Sequence, residues 1–251
     1  MTRLIRAEFV KLRTTQVWFW LLLGAVAVSA LLIVAQIAPS DGVRNASDVP
    51  DMFTSSSTAY VVVFVLGVLG VTTEFRYQTI TPTVLQTPSR WAIVTAKMIT
   101  YGIVGAIYAV VAIAVQIVIA VPWLSSKNVT VDFGNDHVRH AIIGVFAVVA
   151  LFGIVGLGVG ALLRNQIVAV VVGILFLLLL EHLLLLIPGV RHAWPYMPGA
   201  ASSAIMYTSG DKSPVDDVHL LSTWAGLVVL VLWAFVPAIV GAAFSMNRDI
   251  T

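Results

Sequence analysis

Six long apolar runs constrain this chain more than any other feature, at about 17–38, 58–73, 91–121, 141–163, 167–187 and 221–245. Crossing the hydrocarbon core of a bilayer takes about 20 mainly apolar residues in a helix. Within lipid, a helix satisfies all of its own backbone hydrogen bonds. Runs of this length and number point to an all-α integral membrane bundle of six transmembrane helices. The second run reaches spanning length only if it starts in the Ser/Thr-rich stretch 54–58. The third, about 31 residues or roughly 46 Å at helical rise, is expected to project beyond the bilayer.

Composition excludes the main alternatives. The 251 residues are 59% hydrophobic and 10% charged, with a mean hydropathy of +0.99. A soluble domain carries roughly 25% charged residues, so a water-facing globule of this size is excluded. A formal net charge of +2 is too small to suggest a nucleic-acid partner. With no cysteine in the chain, disulfides, thiolate metal sites and cysteine nucleophiles are ruled out. The first run is too long for the apolar core of a signal peptide and follows a basic amphipathic segment, which argues against cleavage there.

Six spans put both termini on one side. That side holds Arg3, Arg6, Lys11, Arg13, Arg76, Arg90, Lys97, Arg164 and Arg248, nine basic residues; the other holds Arg44, Lys127, Arg139, Arg191 and Lys212, five, together with eight Asp. Lys and Arg set topology while acids count little, so both termini are expected in the cytoplasm, with the chain multi-pass in a plasma (inner) membrane. Trp18, Trp20 and Trp91 then fall in the cytoplasmic aromatic belt and Trp123, Trp194 and Trp224 in the outer one. Ahead of the first span, residues 2–15 set Leu4, Ile5, Phe9 and Leu12 at helical spacing with Arg3, Arg6, Lys11 and Arg13 interleaved. This predicts an amphipathic interfacial helix, apolar face in the lipid and cations near anionic headgroups.

The richest polar feature is the reversal between the second and third runs, from Thr73 to Arg90. Thr81-Pro82 has the form of an N-cap followed by proline at the first helical position, and Pro88 limits that helix to under two turns. A plain connection needs only a few residues and has no use for Phe75, Tyr77, Ile80, Val84 and Leu85. A short helix over about 79–88 with an apolar face suggests docking onto another protein. Glu74 and Arg76 stand where the chain leaves the membrane, able to pair with a partner's charges or with the interfacial helix. Arg90 and Lys97 stand where it returns, and Lys97, two turns into the third run, can snorkel or pair with Glu74.

Here the chain resembles a known family. The stretch Arg3-Leu-Ile-Arg-Ala-Glu-Phe-Val-Lys-Leu-Arg-Thr-Thr15 is similar to the N-terminal interfacial helix of ABC-2-type permeases. Glu74-x-Arg76-x-x-Thr79, then Leu85-x-x-Pro88-x-Arg90 and Ala96-Lys97, is similar to their first cytoplasmic loop, which carries the coupling helix. Six spans, about 250 residues and the Gly-rich end of the fourth span with Arg164-Asn165 extend the similarity along the chain. The resemblance implies one ABC-2-type transmembrane domain over 1–251, the membrane subunit of an ABC exporter. Two copies, or two related permeases, would pair with two cytosolic ABC ATPase subunits that bind ATP and Mg. The chain itself has no G-x-x-x-x-G-K-[ST] run, so no enzyme activity of its own is expected and no cofactor bound directly. The residues implied in ATPase coupling are Glu74, Arg76, Tyr77, Thr79, Ile80, Val84, Leu85, Arg90 and Lys97.

Other signals stay open. Glu181 and His182 lie inside the fifth run, and ionisable residues at that depth are functional candidates: a site for a cationic substrate, a proton relay or a hydrogen-bonded strut. Residues 188–220 are too apolar for solvated coil and too broken by Pro188, Pro195 and Pro198 to span. By the resemblance they form short re-entrant helices closing the outer end of a pathway, with Met206 and Tyr207 as gate candidates. His137-x-x-His140 lacks a fixed third ligand, so no metal site is expected. Asn45-x-Ser47 and Asn128-x-Thr130 match the short glycosylation acceptor pattern, and Gly153, Gly156 and Gly160 permit close helix contact. Three functions follow. One is an ATP-driven exporter of a hydrophobic or amphipathic drug, lipid or peptide, as in multidrug resistance. The others are an ion-coupled carrier or intramembrane enzyme using Glu181 and His182, and a non-transporting immunity or sequestration protein.

Overall fold

The computed structural model describes residues 1–39, 42, 43, 45–55, 58–77, 90–207 and 219–246, with the backbone alone at 55, 90 and 242–246. The expected coupling helix at 79–88 lies outside the described residues. What is described is all helical. Helix α1 spans Thr2–Thr14, α2 Val17–Ile37, α3 Val49–Ser55, α4 Ala59–Arg76 and α5 Arg90–Ser126. Then come α6 Asp136–Leu163, α7 Gln166–Leu184, α8 Pro198–Met206 and α9 Thr223–Met246, with 3-10 turns at Ala46–Asp48 and Arg191–Tyr196. Six stretches are long and apolar enough to cross a membrane: α2, Ala46–Arg76, Trp91–Ser126, α6, α7 and Thr223–Gly241. The chain is therefore an all-α integral membrane protein.

The helix ends follow local chemistry. Asn135 caps α6 by accepting the His137 N–H at 2.8 Å, with Asp136 in the first turn where the helix dipole favours an acid. At the other end Arg164 adopts a left-handed conformation, φ 54°, and its N–H returns to the Gly160 carbonyl at 3.0 Å. Asn165 then caps α7, its side chain accepting from Ile167 and Val168 N–H at 3.1 Å each. Two residues thus stop one span and start the next. Helix α4 runs three residues past the expected exit at Thr73, so Glu74 and Arg76 belong to its last turn. Helix α5, 37 residues or about 55 Å at helical rise, overreaches the ~30 Å hydrocarbon core.

Helix α6 is the hub, packing against α3, α4, α5, α7, α8 and α9. Its glycines allow backbone-to-backbone approach of the kind that holds helices together in lipid. A Cβ on Gly156 would stand 2.0 Å from the Phe64 carbonyl oxygen of α4, and one on Gly67 of α4 would stand 2.1 Å from the Gly153 oxygen. Around this seam lie Val63, Phe64, Tyr108, Val148, Val149 and Phe152, all buried. Helices α2 and α5 run parallel: the Tyr108 hydroxyl donates to the Trp18 carbonyl at the α1 end, and Lys127 donates to the Ile37 carbonyl at the far end. Trp20, Trp91 and Trp224 are exposed on the bundle surface, while Trp194 is buried in a small cluster with Ala200.

The α4–α6 seam yields a stability prediction. Gly156→Ala forces α4 and α6 apart, and overpacking of this kind costs about 1–3 kcal/mol. Gly24→Ala, where a Cβ meets nothing within 4 Å, is expected to be near neutral. Thermal unfolding of the purified chain in detergent, followed by tryptophan fluorescence, compares the two.

Candidate functional site

At the end of the bundle that carries α1, three helices meet through charge. Lys97, on α5, donates to Glu8 Oε2 of α1 at 2.7 Å and to Glu74 Oε1 of α4 at 2.7 Å. The Gly70 carbonyl lies 3.4 Å from the same nitrogen, so all three ammonium donors are directed at acceptors. Lys11, one turn beyond Glu8 on α1, donates to Glu8 Oε1 at 2.7 Å and to Glu74 Oε1 at 2.8 Å. Two cations and two carboxylates therefore alternate. The side chains of Lys97, Glu8 and Glu74 are 7%, 7% and 9% exposed, and that of Lys11 is 45% exposed. Buried charges persist only when paired and hydrogen-bonded, and here each supplies the other's partner.

The network explains the seat of α1. Arg3, Arg6 and Arg13 face outward while Leu4, Ile5, Phe9 and Leu12 are half buried. Phe9 and Leu12 pack against the protein core, so the apolar face meets the bundle rather than lipid alone. Burial opposes the charge on Lys11, yet the hydrogen bonds and negative charges of Glu74 and Glu8 outweigh it and hold its pKa above 10.5. A group raised in this way contributes stability below its unfolded value and loses it as the pH climbs through the folded value. The Lys11 contribution is therefore complete at neutral pH and fails only above 10.5. Beside the network opens a cavity of about 390 Å³, lined by Glu8, Lys11 and Glu74 and by apolar Leu12, Trp18 and Leu69 among others.

The sequence candidates divide by place. Glu74 and Lys97 meet in the network. Arg76 turns away, its guanidinium donating to Gln166 Oε1 at 3.2 Å and lying 5.6 Å from the ring of Tyr77, which is exposed. That bond ties the end of α4 to the start of α7. Thr79, Ile80, Val84 and Leu85 lie outside the described residues, as does the side chain of Arg90. At the far end Glu181 and Met206 are buried, Tyr207 is half buried and His182 is exposed. Glu181 is thus enclosed by the protein while His182 lies on its surface. Sequence reasoning missed Glu8. The signal was present: Glu8 sits four residues from both Leu4 and Leu12, an acid on the apolar stripe.

Removing one partner of a buried ion pair costs about 3–5 kcal/mol. Lys97→Met, which leaves Glu8 and Glu74 to share the half-exposed Lys11 alone, is expected to lower stability by up to that amount and to cut the tie between α1 and α5. Lys11→Met, at a half-exposed cation, is expected to cost under about 1 kcal/mol. Thermal unfolding gives the energies, and tryptic cleavage after Arg3 and Arg6 in intact vesicles reports the loss of that tie.

Comparison with known proteins bears on the family rather than on the network. A search of the curated proteins gave no match. A family model described as ABC-2 family transporter protein matches residues 4–180, from the interfacial helix through the fifth span. With well over half of its length covered by that match, the chain belongs to the ABC-2 family of transporter proteins.

Proposed function

We propose that this chain is the permease subunit of an ATP-binding-cassette exporter, carrying a hydrophobic or amphipathic substrate (a drug, lipid or peptide) out of the cytoplasm. Membership of the family implies association with an ABC ATPase in general. Two copies of a separate cytosolic ATPase, binding ATP and Mg, supply the energy to a pair of permeases, two copies of this chain or this chain and a paralogue. Both termini and the α1 end lie in the cytoplasm, and the segment at about 79–88 is the element that docks on the ATPase.

The observation that carries this reading is the buried Glu8–Lys97–Glu74 network. It joins α1 to the ends of α4 and α5, the two helices between which residues 78–89 run. A push on that segment acts on both helix ends, and the charge network makes α1 move with them. Packed helices and ion-pair networks with discrete arrangements are among the elements that carry coupling between distant sites. The carrier or enzyme reading draws no support from Glu181 and His182, whose side chains point into different environments.

The docking role is tested on Ile80, Val84 and Leu85, which lie outside the network. Replacing all three with Ala is expected to abolish co-purification of the ATPase with the permease and to leave thermal stability of the permease within about 0.5 kcal/mol. Undiminished co-purification excludes 79–88 as the docking element.

A further inference from the structure

The cavity beside the charge network carries two unused polar groups of opposite sign. An ammonium has three donors, and Lys11 directs two of them, at Glu8 Oε1 at 2.7 Å and at Glu74 Oε1 at 2.8 Å. Its third N–H meets no acceptor among the described residues, and its side chain is 45% exposed. Glu74 accepts from Lys11 and from Lys97 through Oε1 alone. Among the described residues its Oε2 accepts nothing, although the side chain is only 9% exposed. That oxygen is not sealed inside the protein: the enclosed side-chain oxygens without a partner are those of Ser29, Gln116 and Glu181. Lys11 and Glu74 both line the cavity. A cationic donor and an anionic acceptor therefore open onto one space.

The cavity changes character with depth. Glu74 stands in the last turn of α4, while Leu69 and Leu66 line the cavity further back along the same helix. From Glu74 to Leu66 is about 12 Å at helical rise. Leu12 of α1 and Trp18, at the start of α2, complete the apolar wall. Helices α2 and α4 both belong to membrane spans, so the charged end lies where those spans leave the bilayer and the apolar end lies toward the hydrocarbon. A volume of about 390 Å³ falls within the ~300–1,000 Å³ of ordinary small-molecule sites.

A ligand with a single charge fits this space poorly, since an anion meets the Glu74 carboxylate and a cation meets the Lys11 ammonium. A zwitterion satisfies both and leaves the balance of two cations and two carboxylates unchanged. We propose that the cavity seats one aminophospholipid from the leaflet on the α1 side. Its phosphate accepts from the third N–H of Lys11, its primary ammonium donates to Glu74 Oε2, and its first chain methylenes lie along Leu12, Trp18 and Leu69. Phosphatidylethanolamine carries these groups in this order. Phosphatidylcholine has no N–H to donate, and phosphatidylglycerol has no cation. Both polar contacts are charge-assisted, the stronger class of hydrogen bond. The seated lipid fills the space between α1 and the bundle, and it leaves the buried contacts of Lys97 untouched.

The purified full chain in a neutral detergent is mixed with equal amounts of phosphatidylethanolamine, phosphatidylglycerol and phosphatidylcholine, and the lipid it retains is counted by native mass spectrometry. One phosphatidylethanolamine per chain is expected, favoured about tenfold over either competitor, the ratio that one charge-assisted hydrogen bond supports. Lys11→Met removes the donor to the phosphate, and Leu69→Trp fills the apolar wall; each is expected to lower that retention about tenfold. Leu31→Trp, at an exposed position on α2 away from the cavity, is expected to retain lipid like the parent. Should one cavity variant fail to fold, the other carries the comparison. Equal retention of the three lipids marks a generic annulus and overturns the site. Retention of none, a preference for phosphatidylglycerol, or phosphatidylethanolamine held undiminished by both cavity variants overturns it as well.

Discussion

A single ammonium group shared by two carboxylates from two other helices fixes the geometry of this protein at one end. Lys97 lies seven residues into α5, deep enough that its charge needs partners and shallow enough that an interfacial helix can deliver one. Glu8 reaches it from α1 and Glu74 from α4, both at 2.7 Å. Replacing a buried ion pair with apolar side chains of similar size is often neutral or stabilising, so net stability does not account for the charges being there. Directionality does. Apolar contacts between α1, α4 and α5 would permit sliding, whereas two carboxylates converging on one nitrogen define one register.

The remainder of the bundle is stiff for a different reason. In lipid, burial of apolar surface supplies no force between spans, and close packing through small residues supplies it instead. Helix α6 meets α4 backbone to backbone at Gly156 and Gly67, so displacement of the end of α4 is carried along a contact with no compressible side chain between. Helix α8 lies at the other end of the same hub, its last turn against Gly144. The fold thus offers a continuous path of rigid contacts from the charge network to the far-end segment.

Five of the six spans were legible because apolar runs of about 20 residues have few other folds open to them, and the stop at Arg164-Asn165 was legible because capping is local chemistry. The contact of Lys97 with Glu74 could be read from two opposite charges placed near the ends of adjacent spans. Glu8 was hidden by its setting in a helix rich in Arg and Lys, where an acid passes for an ordinary intrahelical partner. Its value comes from α5, 89 residues away. Glu181 shows the same limit in another form. The sequence marked it as an ionisable group at depth, but its partner is a backbone N–H of Gly199, which no side-chain pattern announces. The π turn just before it is a backbone irregularity within a uniform run of Phe and Leu, and nothing in Phe176–Leu180 distinguishes it from regular helix.

The central claim is that α1, α4 and α5 move as one body because Lys97 binds Glu8 and Glu74. Spin labels at Arg6→Cys on α1 and Ile99→Cys on α5, both at exposed positions, report it through dipolar distance measurement on the permease–ATPase complex in nanodiscs. The account predicts one narrow distance that is the same without nucleotide, with ATP and after hydrolysis. A distance that shifts or splits with nucleotide state would mean that α1 moves independently of α5, and the network would then be no more than a local ion pair.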